Sequence, residues 1–340
     1  MEVDFVPLKE NAVRRIVLLC LFFVCFNTRA ITCEHQPNSV FFQPWNTPNL
    51  TQEQRQQLFA HQLAYATRNG YQEIILQWTK YGEVNFFSDD QVSWLYSSIA
   101  KTQTLKVVYG LYMSPDFFAD LNKSDQLLAS SLATIRSHHH QQAKQLLRNA
   151  PSAIDAWYLP EEIDDLNWHT PQRQTLLKRH LTQVVDDLHQ LNARIPVYVS
   201  AFFGGKGDPE QFAQLLNELH QSTGVTWLIQ DGLGVHRTDA IDTKKYLAAI
   251  AQTIPAQSWR GVLEIFSEKK ILTASGAETE YCPASKASIK KRAIVWCHAT
   301  GLSPTIVFSL NQLAPEFEGA APTKQERCAL SSTLLLNPDE

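Results

Sequence analysis

A single-domain α/β fold, the (β/α)₈ TIM barrel, is what this 340-residue sequence predicts. Three observations carry the prediction. Eight short apolar, β-branched runs alternate with seven clear amphipathic helical segments along the chain. Capping signals open most of the helical segments, and glycine closes some of them. With 44% hydrophobic residues, the chain is large enough to bury one extended core.

The elements follow in order. Ser39–Phe42 is the first strand, and Thr51 with Gln54 has capping-box spacing for a helix ending at Gly70. Glu73–Trp78 is the second strand. Ser88 and Gln91 repeat the capping spacing for a helix with Val92, Leu95, Tyr96 and Ile99 on its apolar face. Lys106–Tyr112 is the third strand, followed by a long helical stretch to about Asn149. Asp155–Pro160 is the fourth, and Thr170-Pro171 sets a cap and a first-turn proline for a helix carrying Leu177, Leu181, Val184, Leu188 and Leu191. Pro196–Phe203 is the fifth strand, with Asp208-Pro209 opening the next helix. Thr226–Gln230 is the sixth strand, followed by a helix over 238–253. Gly261–Phe266 is the seventh strand, with a helix after about Ala284, and Pro304–Leu310 is the eighth. The last thirty residues carry no strong eighth helix, although Thr323–Leu336 has room for a short one. A doubly wound open sheet is the runner-up, but no GxGxxG follows the first strand, which disfavours dinucleotide binding.

The N-terminus reads as a signal peptide over residues 1–30, with 31–340 as the barrel domain. Arg14-Arg15 precedes the apolar run Ile16–Phe26, and Thr28-Arg29-Ala30 offers a cleavage site. The expected location is therefore periplasmic or secreted, with no stable membrane insertion once the segment is removed. Its loss takes Cys20 and Cys25. Cys33, Cys282, Cys297 and Cys328 remain, enough for two disulfides with three possible pairings. A formal charge of -4 without a basic stripe argues against nucleic acid. No cofactor is implied. No metal site is expected either: none of the cysteines has CxxC spacing, and His138-His139-His140 is read as a solvated helix face because adjacent helical residues diverge.

A TIM barrel places its active site at the C-terminal strand ends. Those ends here carry Gln43 and Trp45, Gln77 and Trp78, Tyr109 and Tyr112, Glu161 and Glu162, Ser200 and Phe203, Gln230 and Asp231, and Glu264. Such a cleft suits a polysaccharide or oligosaccharide: aromatic rings stack on sugar C–H faces while amides and acids bind hydroxyls. Glu161 and Glu162 are adjacent and must point to opposite sides of a strand. Sharing an alternation with Tyr158 and Pro160, Glu162 is expected to face the centre, leaving Glu161 as a supporting or salt-bridging residue. Asp164 and Asp165 are expected to cap a loop or to be solvated, and Asp231, before Gly232, suits a tight turn or a ligand contact. His236 and Arg237 are candidates for an anionic sugar or for a loop salt bridge. Two glutamates at two strand ends are what glycosidic cleavage requires, which makes Glu162 and Glu264 the catalytic candidates.

The segments QWTKYG (77–82), VVYGLYMSPDFF (107–118), AWYLPEEIDD (156–165), PVYVSAFFGG (196–205), QDGLGVHR (230–237) and LEIF (263–266) resemble a bacterial family of glycoside-hydrolase-type TIM barrels, domain of unknown function 4434. The resemblance runs from about Ser39 to Phe308 and implies polysaccharide processing outside the cytoplasm. More distantly, the layout is similar to retaining glycosidases with an acid/base glutamate after strand four and a nucleophile on strand seven. Glu162 and Glu264 match those places, but Glu161 stands where that clan has Asn. The alternative readings are a non-catalytic polysaccharide-binding or export accessory protein, and a lyase or other sugar-modifying enzyme using Glu264 or Asp231 as base.

Overall fold

The computed structural model describes residues 36–44, 50–87, 105–149, 154–273, 276–313 and Cys328, with a few positions between 90 and 98. The expected signal segment, Trp45, Cys33, most of the helix after Ser88 and the last expected helix lie outside the described residues. The barrel lies in the unit Cys33–Glu340.

In chain order the described elements are β1 (Ser39–Phe42), α1 (Gln52–Arg68), β2 (Glu73–Leu76), β3 (Lys80–Tyr81), β4 (Val84–Asn85), β5 (Lys106–Gly110), β6 (Tyr112–Met113), α2 (Phe117–Asp120), α3 (Asp125–Asn149), β7 (Ala156–Ile163), α4 (Pro171–Asn192), β8 (Val197–Ala201), α5 (Pro209–Thr223), β9 (Thr226–Gln230), α6 (Ala240–Thr253), β10 (Trp259–Glu264), β11 (Phe266–Thr273), β12 (Gly276–Pro283), α7 (Lys286–Thr300) and β13 (Ile306–Phe308). Eight parallel strands close a barrel in the order β1-β13-β10-β9-β8-β7-β5-β2. Each expected strand is found, and β9 has the expected bounds.

Local chemistry explains the boundaries. Thr51 and Gln54 form a reciprocal capping box at α1. Thr170, Asp208 and Ser285 each accept a backbone N–H three residues on, opening α4, α5 and α7. Asp239 does the same for α6 with two N–H groups. Left-handed glycines, Gly224 and Gly301, end α5 and α7.

Two apolar layers result. An inner layer of Phe41, Ile75, Val108, Ala156, Tyr158, Leu228, Val262 and Ile306 fills the barrel lumen. The outer layer packs the strands against the helices, with Trp157, Leu181, Leu216, Trp227 and Trp296 within it. At the N-terminal end the lumen is closed by an ion pair, Arg260 Nη1 to Glu73 Oε1 at 2.7 Å, with Arg260 Nη2 donating to Ser39 Oγ.

Two features depart from the sequence reading. β7 runs on through Glu161 and Glu162 to Ile163, and its pairing with β8 shifts register between Leu159 and Ile163. Pro160, which has no N–H for the ladder, sits in that irregularity. The second is a long antiparallel hairpin, β11–β12, inserted directly after the seventh barrel strand. The Cys282–Cys328 disulfide ties its second strand down, and Cys297 is also disulfide-bonded.

Candidate active site

The carboxylates at the mouth come from the ends of the fourth, sixth and seventh barrel strands. Glu162 and Gln230 belong to the fourth and sixth barrel strands, β7 and β9, and Gln230 Nε2 donates to Glu162 Oε1 at 2.9 Å. Below them Tyr158 Oη and Ser200 Oγ are 2.7 Å apart in the lumen. Glu162 thus faces inward, as the alternation with Tyr158 requires. Burial raises its proton affinity, opposed by the Gln230 bond and by the Arg237 charge.

Glu264, at the end of the seventh strand β10, is 3% exposed. Its Oε2 accepts the Gly234 N–H at 2.5 Å, and a Cβ built on Gly234 would lie 2.6 Å from that oxygen. Close approach, not turn geometry, is what requires glycine at 234. Burial, then the neighbouring Asp231 charge, push Glu264 up to about 8, against the pull of Gly234, Arg292 and Arg237. Asp231 is fully buried, takes Trp296 Nε1–H at 3.0 Å and the Leu233 N–H at 2.9 Å, and is likewise raised by burial. Glu264 and Asp231 form one buried acidic pair that holds a proton more tightly than ordinary carboxylates. Arg292 from α7 fixes the backbone beneath the pair, its Nη1 donating to the carbonyls of Glu264 and Phe266 at 2.6 and 2.5 Å.

Glu161 points the other way. His139 Nε2 on α3 lies 2.6 Å from Glu161 Oε1, and His180 Nε2 on α4 lies 3.4 Å from the same oxygen. Burial would raise this carboxyl, but the two histidines override it and hold it well below the ordinary range. The Tyr112 N–H points at His139 Nδ1 at 3.3 Å, so Nδ1 accepts and the ring proton sits on Nε2, facing Glu161. His139 is therefore 1% exposed core, not the solvated helix face expected for the histidine run; its neighbour His138 stacks on Tyr112 at 4.3 Å.

The other sequence candidates divide between mouth and wall. Gln77, one step past β2, is 8% exposed, and its Oε1 meets no hydrogen-bond partner among the described residues. Gln43 is held through its backbone by the Asn311 side chain. His236 is an exposed residue with φ 55°, next to Arg237. Trp78 and Tyr109 lie in the outer core, and Phe203 stacks on Tyr246 at 4.6 Å. Asp164 caps the turn at Leu166 and Asn167, whereas Asp165 accepts three N–H groups from the 204–207 loop; both are buried and not solvated. The sequence reading missed Arg292, Trp296, Gly234 as a contact and Tyr281. Tyr281, on β12, is 45% exposed and lies within electrostatic reach of Arg237, Glu162 and Glu264. Among the described residues no group of His, Cys, Asp and Glu side chains is arranged to hold a metal ion, and no helix is long and apolar enough to cross a membrane.

Comparison with known proteins agrees with this architecture. A candidate alpha-L-fucosidase from Bacteroides thetaiotaomicron VPI-5482 superposes with a TM-score of 0.59 at 11% identity, over 81% of this chain and 87% of that one. At that identity the likeness is one of fold. The uncharacterized protein YbcH of Escherichia coli (strain K12) is 33% identical over 231 residues, 67% of this chain and 76% of that protein. The family described as Domain of unknown function (DUF4434) matches residues 38–317, and the chain belongs to it.

Proposed function

We propose that this barrel is a glycoside hydrolase acting on a polysaccharide outside the cytoplasm. The observation that carries the reading is the placement of two mouth carboxyls, Glu162 and Glu264, at the ends of the fourth and seventh barrel strands, both with raised proton affinity. Glycosidic cleavage needs one carboxyl that gives a proton and one that is ionised. Glu162, partly exposed and bonded to an amide, is placed to reach a leaving oxygen as acid/base. Glu264 is the nucleophile in this assignment, and its proton sets a condition: Glu264 attacks only once that proton has gone. The kcat/KM profile of the free enzyme is then a bell with one limb near pH 8, where Glu264 titrates.

The test is release of new reducing ends from a panel of bacterial and plant polysaccharides by wild type, Glu162→Gln and Glu264→Gln. Cleavage lost in both variants supports the pair. A wild type that binds one polymer without cleaving it, with both variants binding equally, favours a binding or export accessory protein.

A further inference from the structure

Arg237 is the cation of this mouth that the chemistry above leaves unused. Its guanidinium lies 4.0 Å over the ring of Phe202, at the end of the fifth barrel strand, and the residue is exposed. Stacking fixes the plane of the guanidinium while leaving its N–H edge open. The Arg237 backbone N–H bonds Gly232 O at 3.2 Å, closing the loop in which His236 takes a left-handed conformation uncommon for a non-glycine residue. Its side chain makes no ion pair with any carboxylate among the described residues, although Glu162, Glu264 and Tyr281 all feel its charge. A cation serving only to neutralise those carboxyls would be expected to bond one of them. This one is held beside them with no side-chain hydrogen bond among the described residues.

We propose that Arg237, seated on Phe202, is a subsite for a carboxylate or other anionic group on the sugar chain, so that the substrate class is an acidic polysaccharide. This rests on reading the mouth as a sugar site. A planar guanidinium edge binds a carboxylate with two parallel hydrogen bonds, which also orients the sugar that carries it. The mouth does not repel such a ligand. Arg237 and the buried Arg292 face the acidic groups there, and the pair formed by Glu264 and Asp231 retains a proton at neutral pH. Tyr281 offers an exposed ring on the hairpin, where a pyranose face can rest.

The experiment measures binding of the full chain, in the Glu162→Gln background so that substrate persists, to polygalacturonate, alginate and hyaluronate. Each polymer is paired with its carboxyl-reduced form. The expected result is at least one acidic polymer bound roughly tenfold or more tightly than its reduced form, with the preference weakening as salt rises. Arg237→Gln should bring the acidic polymer down to the level of the reduced one, and Arg237→Lys should restore part of the difference. Equal binding of both forms, a preference that survives Arg237→Gln, or binding of none of the polymers overturns the proposal. The two readings fail separately. A neutral polymer cleaved by Glu162 and Glu264 without any acidic preference keeps the hydrolase and removes the subsite. Acidic binding that depends on Arg237, without cleavage in wild type, does the reverse.

Discussion

Glu161 and Glu162 are neighbours in sequence and opposites in chemistry. One step along β7 moves the carboxyl from the strand–helix wall, where His139 and His180 meet it, to the mouth, where it meets an amide. Both sites remove water. Only the wall supplies partners strong enough to keep the charge, so Glu161 is held ionised while Glu162 binds its proton more tightly than usual. Glu264 extends the second pattern, since the charge that acts on it most strongly, that of Asp231, has the same sign. Burial alone therefore does not mark a functional acid. A buried carboxylate with its partners in place is structural, and one left facing an amide or another acid is poised to move a proton.

The largest expected effect separates the two groups by activity. If the mouth pair is catalytic, Glu162→Gln and Glu264→Gln each lower kcat/KM about 10²- to 10⁴-fold on the substrate that wild type cleaves, with the fold intact by circular dichroism. Stability separates them in the other direction. Glu161→Ala removes the acceptor from two buried histidines and should cost about 1–3 kcal/mol in denaturant unfolding. Activity per folded molecule should stay within a fewfold of wild type. A stable Glu161→Ala variant without activity would place Glu161 in the reaction.

The next effect probes the seat of Glu264. Gly234→Ala puts a methyl group 2.6 Å from Glu264 Oε2 and 2.9 Å from the Phe266 carbonyl, so Glu264 must turn away and the loop must shift. Overpacking of this kind costs about 1–3 kcal/mol. Activity should fall with it, as positioning errors of an ångström do. Gly207→Ala is the matched control, because its Cβ would meet the backbone carbonyl of Asp165 at 2.7 Å instead of the Glu264 carboxyl. Equal activity losses in both would show that packing, not the position of Glu264, is what matters.

Much of the scaffold was legible because it rests on local chemistry. The capping box at Thr51, the Thr170-Pro171 and Asp208-Pro209 starts and the eight apolar strands are all short-range signals. Alternation with Tyr158 also pointed Glu162 inward, since strand period outlasts the irregularity at Pro160. The hairpin was not legible, although Ser275-Gly276 is a turn dipeptide, because its charged strands lack the apolar period of a buried element. Nor was the wall cluster. His139 looks like any residue of a polar helix, and only the approach of α3 to β7 gives it a buried carboxylate to meet. Arg292 lies in a basic stretch of α7, where nothing local marks the one cation that turns inward.

The smallest effect, and the most diagnostic of the electrostatics, is stability against pH. Glu264 has a folded value near 8 against an ordinary 4.5, so between these the folded state binds more protons than the unfolded one. Its contribution is complete below pH 4.5 and is lost as pH rises through 8. Glu161 has the opposite sign: its contribution is complete above its ordinary 4.5 and is lost as pH falls through its lowered folded value. Unfolding free energies of wild type and Glu264→Gln, measured from pH 5 to 9, should therefore diverge, with the downward slope flattened in the variant. Because Asp231 shares the proton, Asp231→Asn is the necessary partner experiment. Removing that negative neighbour should bring the Glu264 transition down in pH while leaving a slope. If Glu264→Gln keeps the wild-type slope and Asp231→Asn abolishes it, the proton belongs to Asp231. Glu264 would then be ionised at neutral pH, ready to attack without first losing a proton.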